Sequence, residues 1–189
     1  MIVSVQDVEY TDFIYWQETE SFINGVASAT GNVELFFDEK VDRDSSLVIY
    51  DGKEIDLNQE HTFIDIQKEG ITQLVFILKD IDGYALQEGE KTILLDTTMP
   101  NIVFNAGNQN IIDVLPLEDK ETVHVKIFEQ NLKSIEVYLD DEQMDCEELE
   151  FDVDVTSKNQ SLRIICTDIA QNKLEREIKI LLLNILNVY

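Results

Sequence analysis

The sequence predicts an all-β protein built from two consecutive antiparallel β-sandwiches. Three observations predict this class: apolar residues recur at a period of two, turn dipeptides separate the apolar runs, and the second half of the chain resembles the first. The chain has 189 residues, of which 44% are hydrophobic. Each half is therefore long enough, and apolar enough, to bury a core of its own.

The alternation of apolar and polar residues is typical of half-buried strands. It is clearest in four segments, whose apolar members are Val33, Leu35 and Phe37; Val123, Val125 and Ile127; Ile135, Val137 and Leu139; and Phe151, Val153 and Val155. Turn signals follow at Asp51-Gly52, Glu69-Gly70 and Asp82-Gly83. No long amphipathic helix is predicted.

The internal repeat predicts the domain boundaries. A shift of 88 residues places LVIYDGKE (47–54) over IEVYLDDE (135–142), QLVFILKDID (73–82) over SLRIICTDIA (161–170), and Phe63 over Phe151. The early strands fit better at a shift of 90. A repeat of this length matches a whole small domain. We therefore expect one domain over 1–96 and a second over 97–189, each with about seven strands.

The repeat also predicts which side chains face the core. Leu74, Phe76 and Leu78 are expected to point inward and to be matched by Leu162, Ile164 and Cys166. Tyr50 and Tyr138 fall at matched positions, and both are expected to face outward.

Charge excludes several classes of partner. The chain has 39 acidic and 14 basic side chains, for a net charge of −25. Nucleic acid and anionic membrane surfaces both require clustered Lys and Arg, so neither is predicted as a partner. No apolar run is long enough to predict a membrane span. The opening residues lack the features of a secretory signal, which fits a cytosolic protein or a fragment without its signal peptide and anchor.

The segments between strands carry a resemblance to a known family. The sequence reads LKDIDG at 78–83, ILLDTTMPNIVF at 93–104 and CTDIAQN at 166–172. This layout resembles the bacterial immunoglobulin-like (Big-type) tandem repeats of Gram-positive cell-surface proteins, in which a T-D-x-A-G-N-like turn joins the last two strands. Gln171 stands where that turn has glycine, and the first copy departs further, with Ile81-Asp82-Gly83-Tyr84 after Asp80.

The resemblance implies two tandem immunoglobulin-like β-sandwiches and a function. It implies a non-enzymatic extracellular module that serves as a spacer, stalk or adhesion segment at the bacterial cell surface. The partners it implies are adjacent modules of a longer surface protein and a host protein or glycan ligand.

Three aspartates raise the question of a metal ion. Asp80, Asp82 and Asp96 would offer Ca²⁺ hard oxygen ligands if they met where one domain joins the next. Asp80 and Asp168 occupy the same repeat position, however, and aspartate in a turn bonds its own backbone. The second interpretation is favoured, no cofactor is predicted, and the sequence leaves calcium binding open.

Aromatic residues near the start suggest the alternative function, a carbohydrate-binding module. Tyr10, Tyr15 and Trp16 lie close together in sequence, and exposed aromatic rings stack on sugars. The same Trp16 would equally well cap the end of the first sandwich, which is the favoured interpretation.

The remaining reactive residues do not predict catalysis. His61 and His124 neighbour no nucleophile motif, so no catalytic residues are assigned. Cys166 is expected to be a buried thiol, and whether it pairs with Cys146 is left open. The role of the apolar C-terminus, 185–189, is also left open: it could contact the first domain, join a partner's sheet edge or end a truncated chain.

Overall fold

The computed structural model describes residues 14–16, 25–59 and 61–182, with backbone alone at 15–16 and 25–26. Every regular element in these ranges is a strand. The described part of the chain therefore contains no helix that could cross a membrane. The chain divides into two compact units, 1–97 (unit 1) and 98–189 (unit 2).

The described residues of unit 1 form eight strands in two sheets. They are β1 (Ile14–Trp16), β2 (Gly25–Ser28), β3 (Asn32–Phe37), β4 (Leu47–Tyr50), β5 (Lys53–Glu54), β6 (Thr62–Asp65), β7 (Gly70–Lys79) and β8 (Ala85–Leu95). One sheet has the order β1-β3-β6, and the other has the order β2-β8-β7-β4-β5.

Unit 2 follows the same plan, and its described residues form nine strands. Its strands are β9 (Asn101–Ala106), β10 (Gln109–Ile111), β11 (Val114–Leu117), β12 (Lys120–Phe128), β13 (Leu132–Leu139), β14 (Glu142–Met144), β15 (Glu150–Thr156), β16 (Ser161–Asp168) and β17 (Lys173–Leu182). The sheets have the orders β10-β9-β12-β15 and β11-β17-β16-β13-β14. The short strand β10 pairs with β9, and the matching position of unit 1 lies outside the described residues.

Each unit buries its own core between its two sheets. In unit 1, Leu74, Phe76 and Leu78 on β7 are at most 3% exposed, as the alternation predicts. The matching residues on β16, which are Leu162, Ile164 and Cys166, are fully buried. Period-two alternation places every second side chain on the inner face, so apolar area is removed from water on both sheets.

The prediction of antiparallel sheets needs one correction in each unit. β2 pairs with β8 in parallel, and β11 pairs with β17 in parallel. Lys179 N–H donates to the Asp113 carbonyl, so alternate residues of β11 bond to β17 and the nitrogen of Pro116 points away from it. Proline is therefore tolerated in this edge strand because no ladder bond is lost.

Over the middle strands, the structural match between the two units is shifted by one residue from the match that the sequence repeat gives. Tyr50 pairs with Leu74 and Leu139 pairs with Leu162, so Tyr50 matches Leu139 and not Tyr138. The expectation that Tyr50 faces outward is therefore wrong, since it is 9% exposed and belongs to the core.

The same offset corrects the match of Phe63 with Phe151. Glu34 pairs with Phe63 and His124 pairs with Asp152, so Phe63 matches Asp152. Phe63 is 55% exposed, as expected for a residue on an outer face.

Candidate functional site

Asp80, a sequence candidate for calcium, closes the turn between β7 and β8. Its Oδ1 accepts hydrogen bonds from the backbone N–H groups of Asp82 (3.0 Å) and Tyr84 (2.9 Å). Its own N–H donates to the Tyr84 carbonyl at 2.9 Å. This carboxylate satisfies the backbone of its own turn, as the favoured interpretation predicts.

Asp168 closes the matching turn of unit 2 in the same way. Its Oδ1 accepts the N–H of Asn172 and its Oδ2 accepts the side-chain amide of Asn172, both at 2.8 Å. Its N–H donates to the Asn172 carbonyl at 3.0 Å. Asp168 is fully buried, so these bonds compensate for the loss of hydration of its carboxylate.

The three candidate aspartates of unit 1 do not converge on one point. Asp80 and Asp82 lie before β8, Asp96 lies directly after it, and β8 has 11 residues. At about 3.3 Å per residue, this strand separates its two ends by about 35 Å. Within the described residues the three do not form a ligand cluster, so they cannot share one Ca²⁺ ion.

A second carboxylate lies beside Asp168. Oxygen atoms of Glu129 and Asp168 are within 4.8 Å of each other, and Glu129 Oε1 accepts the N–H of Asn131 at 2.7 Å. Burial raises the pKa of the neighbouring Cys166 thiol to about 11, with smaller contributions from the charges of Glu129 and Asp168. This thiol is therefore protonated and unreactive at neutral pH.

His124 lies on the outer face of unit 2 between two carboxylates. Its Nδ1 is 2.8 Å from Asp152 Oδ1 and its Nε2 is 3.2 Å from Glu150 Oε1. The hydrogen bond with Asp152 and the charges of both carboxylates raise the pKa of His124 above its ordinary value of 6.5. Lys126 lies 3.0 Å from Glu150 and lowers the pKa of that carboxyl.

His61 makes a similar pair in unit 1. Its Nδ1 is 2.5 Å from Glu34 Oε1, and its ring stacks on Phe63. Both histidines therefore belong to solvent-exposed pairs on sheet faces.

Both cysteines are free. Cys166 is buried in the core, as predicted, and Cys146 lies half-buried in the segment between β14 and β15. Cys146 packs against the core of unit 2, so the pairing that the sequence left open is not formed.

Among the described residues, each unit has a surface depression large enough to hold a ligand. In unit 1 a depression of about 600 Å³ lies on the outer face of β4 and β7, beside the exposed Ile71 and Val75. In unit 2 a cavity of about 430 Å³ lies beneath the segment that carries Cys146. Sequence reasoning missed both, because each is formed by residues that come together only in the folded sheets.

The proposed sugar-stacking residues fall largely outside the description. Tyr10 lies outside the described residues, and Tyr15 and Trp16 are described by their backbone in β1, which pairs with β3. The apolar C-terminus, 185–189, also lies outside them.

Comparisons with known proteins bear on the fold alone. No protein-family model matches the chain, and no curated protein matches it either. Fibronectin(III)-like modules of CbhA from Clostridium thermocellum match 89% of this chain and 93% of their own length, with 13% identity and a TM-score of 0.49. An I-band fragment of titin matches 89% of this chain and 65% of its own length, with 8% identity and a TM-score of 0.44.

A third solved structure is a glycan-utilization protein in complex with its ligand. SGBP-B of Bacteroides ovatus, solved with a mixed-linkage heptasaccharide, matches 90% of this chain and 48% of its own length, with 10% identity and a TM-score of 0.32.

The strand orders define the class of protein. One sheet joins β1, β3 and β6 in unit 1 and β9, β12 and β15 in unit 2. The other sheet pairs a long late strand in parallel with a short early strand, β8 with β2 and β17 with β11. This is the arrangement of immunoglobulin-like sandwiches. The chain is an all-β protein made of two tandem immunoglobulin-like domains.

Proposed function

We propose that this chain is a non-enzymatic spacer or stalk segment of a bacterial surface protein, related to the Big-type immunoglobulin-like repeats. One observation carries the proposal most strongly: each unit pairs its last described strand in parallel with an early strand, β8 with β2 and β17 with β11. When the two ends of such a unit are pulled apart, the paired strands must slide along each other. All hydrogen bonds of the ladder then resist together.

Self-sufficient units suit a spacer. Each unit has its own buried core and its own aspartate-closed turn, at Asp80 and at Asp168. A net charge of −25 would keep neighbouring chains apart and soluble outside the cell. Adjacent modules of a longer protein are the partners that such a segment requires.

The proposal is tested by pulling the full chain from its two ends in a single-molecule experiment. A spacer should give two separate unfolding events, each releasing about 300 Å of chain. A single event, or gradual extension without peaks, would contradict the proposal.

Surface location is tested by a separate experiment. An antibody raised against the chain should label intact cells of the producing bacterium, and labelling only after lysis would contradict a surface location.

A further inference from the structure

The two units differ at one edge of the sandwich, in the segment that leads from β5 to β6 and from β14 to β15. With the one-residue offset of the repeat, Leu57 of unit 1 matches Cys146 of unit 2, and Ile55 matches Met144. Leu57 is 4% exposed and belongs to the core, and Ile55 packs against it. In unit 2, Cys146 is half-buried and Met144 is 37% exposed.

A cavity lies where unit 1 has its leucine. The cavity of about 430 Å³ in unit 2 is lined by Val137, Phe151 and Val153 from the strands and by Cys146 from the segment above them. A thiol occupies much less volume than an isobutyl group, so Cys146 fills less of the space at this position than Leu57 fills in unit 1. The volume is within the usual range of ligand pockets, and its floor is apolar.

The rim of this cavity is negatively charged. Four carboxylates line it, those of Asp145, Glu147, Glu148 and Asp152. Asp152 is paired with His124, whereas no described Lys, Arg or His lies within salt-bridge distance of the other three. Uncompensated carboxylates around an apolar floor favour an occupant that joins an apolar group to positive charge.

The strand beside the cavity has an open edge. Among the described strands β15 pairs with β12 alone. The Leu149 carbonyl accepts the Ile127 N–H, so the backbone groups of alternate residues, Glu150, Asp152 and Asp154, face away from β12. An extended peptide could add to this edge through main-chain hydrogen bonds.

We propose that unit 2 binds an extended basic peptide, which adds to the edge of β15 and inserts one apolar side chain into the cavity beneath Cys146. Its flanking Lys or Arg side chains meet Asp145, Glu147 and Glu148. Unit 1 does not bind the peptide at the equivalent edge, because Leu57 packs into the core at the position of the cavity and leaves no space for the apolar side chain.

The proposal is tested by titrating the full chain with a synthetic peptide, acetyl-Lys-Val-Lys-Leu-Lys-Val-Lys-amide, at low salt. One control peptide replaces the central Leu with Ser, and another replaces every Lys with Glu. The protein variant Cys146→Leu gives unit 2 the leucine that unit 1 has at this position and should fill the cavity. The variant Glu147→Gln/Glu148→Gln removes rim charge at exposed positions, where folding is not at risk. Circular dichroism checks that each variant keeps its sheet content.

The expected result is saturable binding of the first peptide that weakens about tenfold or more when the leucine or the cavity is lost. The rim variant should weaken binding about three- to tenfold, and added salt should remove that difference. No binding by the wild-type chain would overturn the proposal. Equal binding by Cys146→Leu, or of the serine peptide, would also overturn it, since simple charge attraction would then explain the signal. Binding of the glutamate peptide would overturn the assigned charge of the partner.

Discussion

Gly83 and Gln171 occupy the same position of the same turn, with φ angles of 83° and 73°. Each donates its N–H to the carbonyl of the turn aspartate, Asp80 at 2.9 Å and Asp168 at 3.2 Å. Glycine adopts positive φ without steric cost, whereas a residue with a Cβ does not. Unit 2 therefore holds a glutamine in a conformation for which unit 1 has glycine.

Replacing Gln171 with glycine should stabilise unit 2. The left-handed conformation costs a non-glycine residue about 1–2 kcal/mol, and the greater freedom of glycine in the unfolded chain offsets part of the gain. We expect a net gain of about 0.5–1 kcal/mol, measured by calorimetric melting. The reverse variant, Gly83→Gln, should destabilise unit 1 by a similar amount. A lower melting temperature for Gln171→Gly would contradict this prediction.

Replacing Thr62 with valine should stabilise unit 1. Thr62 is 2% exposed on β6, and its hydroxyl has no hydrogen-bond partner among the described residues. Valine has nearly the same shape and removes the buried hydroxyl, so we expect a gain of about 1 kcal/mol in urea unfolding. Thr122→Val is the control, because that exposed hydroxyl donates to Asp154 at 2.7 Å. A clear loss of stability in Thr62→Val would show that its hydroxyl is satisfied.

Replacing Asp168 with alanine should destabilise unit 2 more than Asp80→Ala destabilises unit 1. The Asp168 carboxylate is fully buried and accepts two bonds from Asn172, whereas the bonds to Asp80 are exposed to solvent. We expect losses of about 2–3 kcal/mol and about 1 kcal/mol, respectively, in urea unfolding. Equal losses would mean that burial adds nothing to the aspartate turn.

The stability of unit 2 should fall as pH rises above 6.5. The pKa of His124 is raised in the folded state, chiefly by its hydrogen bond with Asp152. The folded chain thus binds this proton more tightly than the unfolded chain does. The stability that protonated His124 contributes is fully present below the pKa of His124 in the unfolded chain, and it is lost as pH rises through the pKa of His124 in the folded chain. His124→Gln should flatten this part of the stability profile, while His61→Gln should leave the transition of unit 2 unchanged. An unaltered profile in His124→Gln would exclude the pair as its source.

The strands and the core residues were largely predictable because period-two alternation survives in the sequence. The alternation correctly places Leu74 and Phe76 in the core of unit 1, and Leu162 and Ile164 in the core of unit 2. The aspartate turns were also predictable, since Asp80 and Asp168 bond local backbone and need no distant partner.

The offset and the cavity were not predictable in the same way. A shift of one residue along a strand moves every side chain to the opposite face of the sheet. The sequence repeat matches Tyr50 with Tyr138, but the strand pairing matches Tyr50 with Leu139. The cavity beneath Cys146 depends on which side chain replaces Leu57, and that match appears only after the offset is known.

The central claim is that these units resist tension through their parallel strand pairs, β2 with β8 and β11 with β17. Its most direct test compares two pulling directions. In one experiment the chain is pulled from its ends. In the other, handles attached at Gln73 and Thr92, which face each other across β7 and β8, peel that antiparallel pair apart one bond at a time. The account predicts that unit 1 unfolds at a markedly higher force when it is pulled from its ends. Equal forces in the two directions would contradict it.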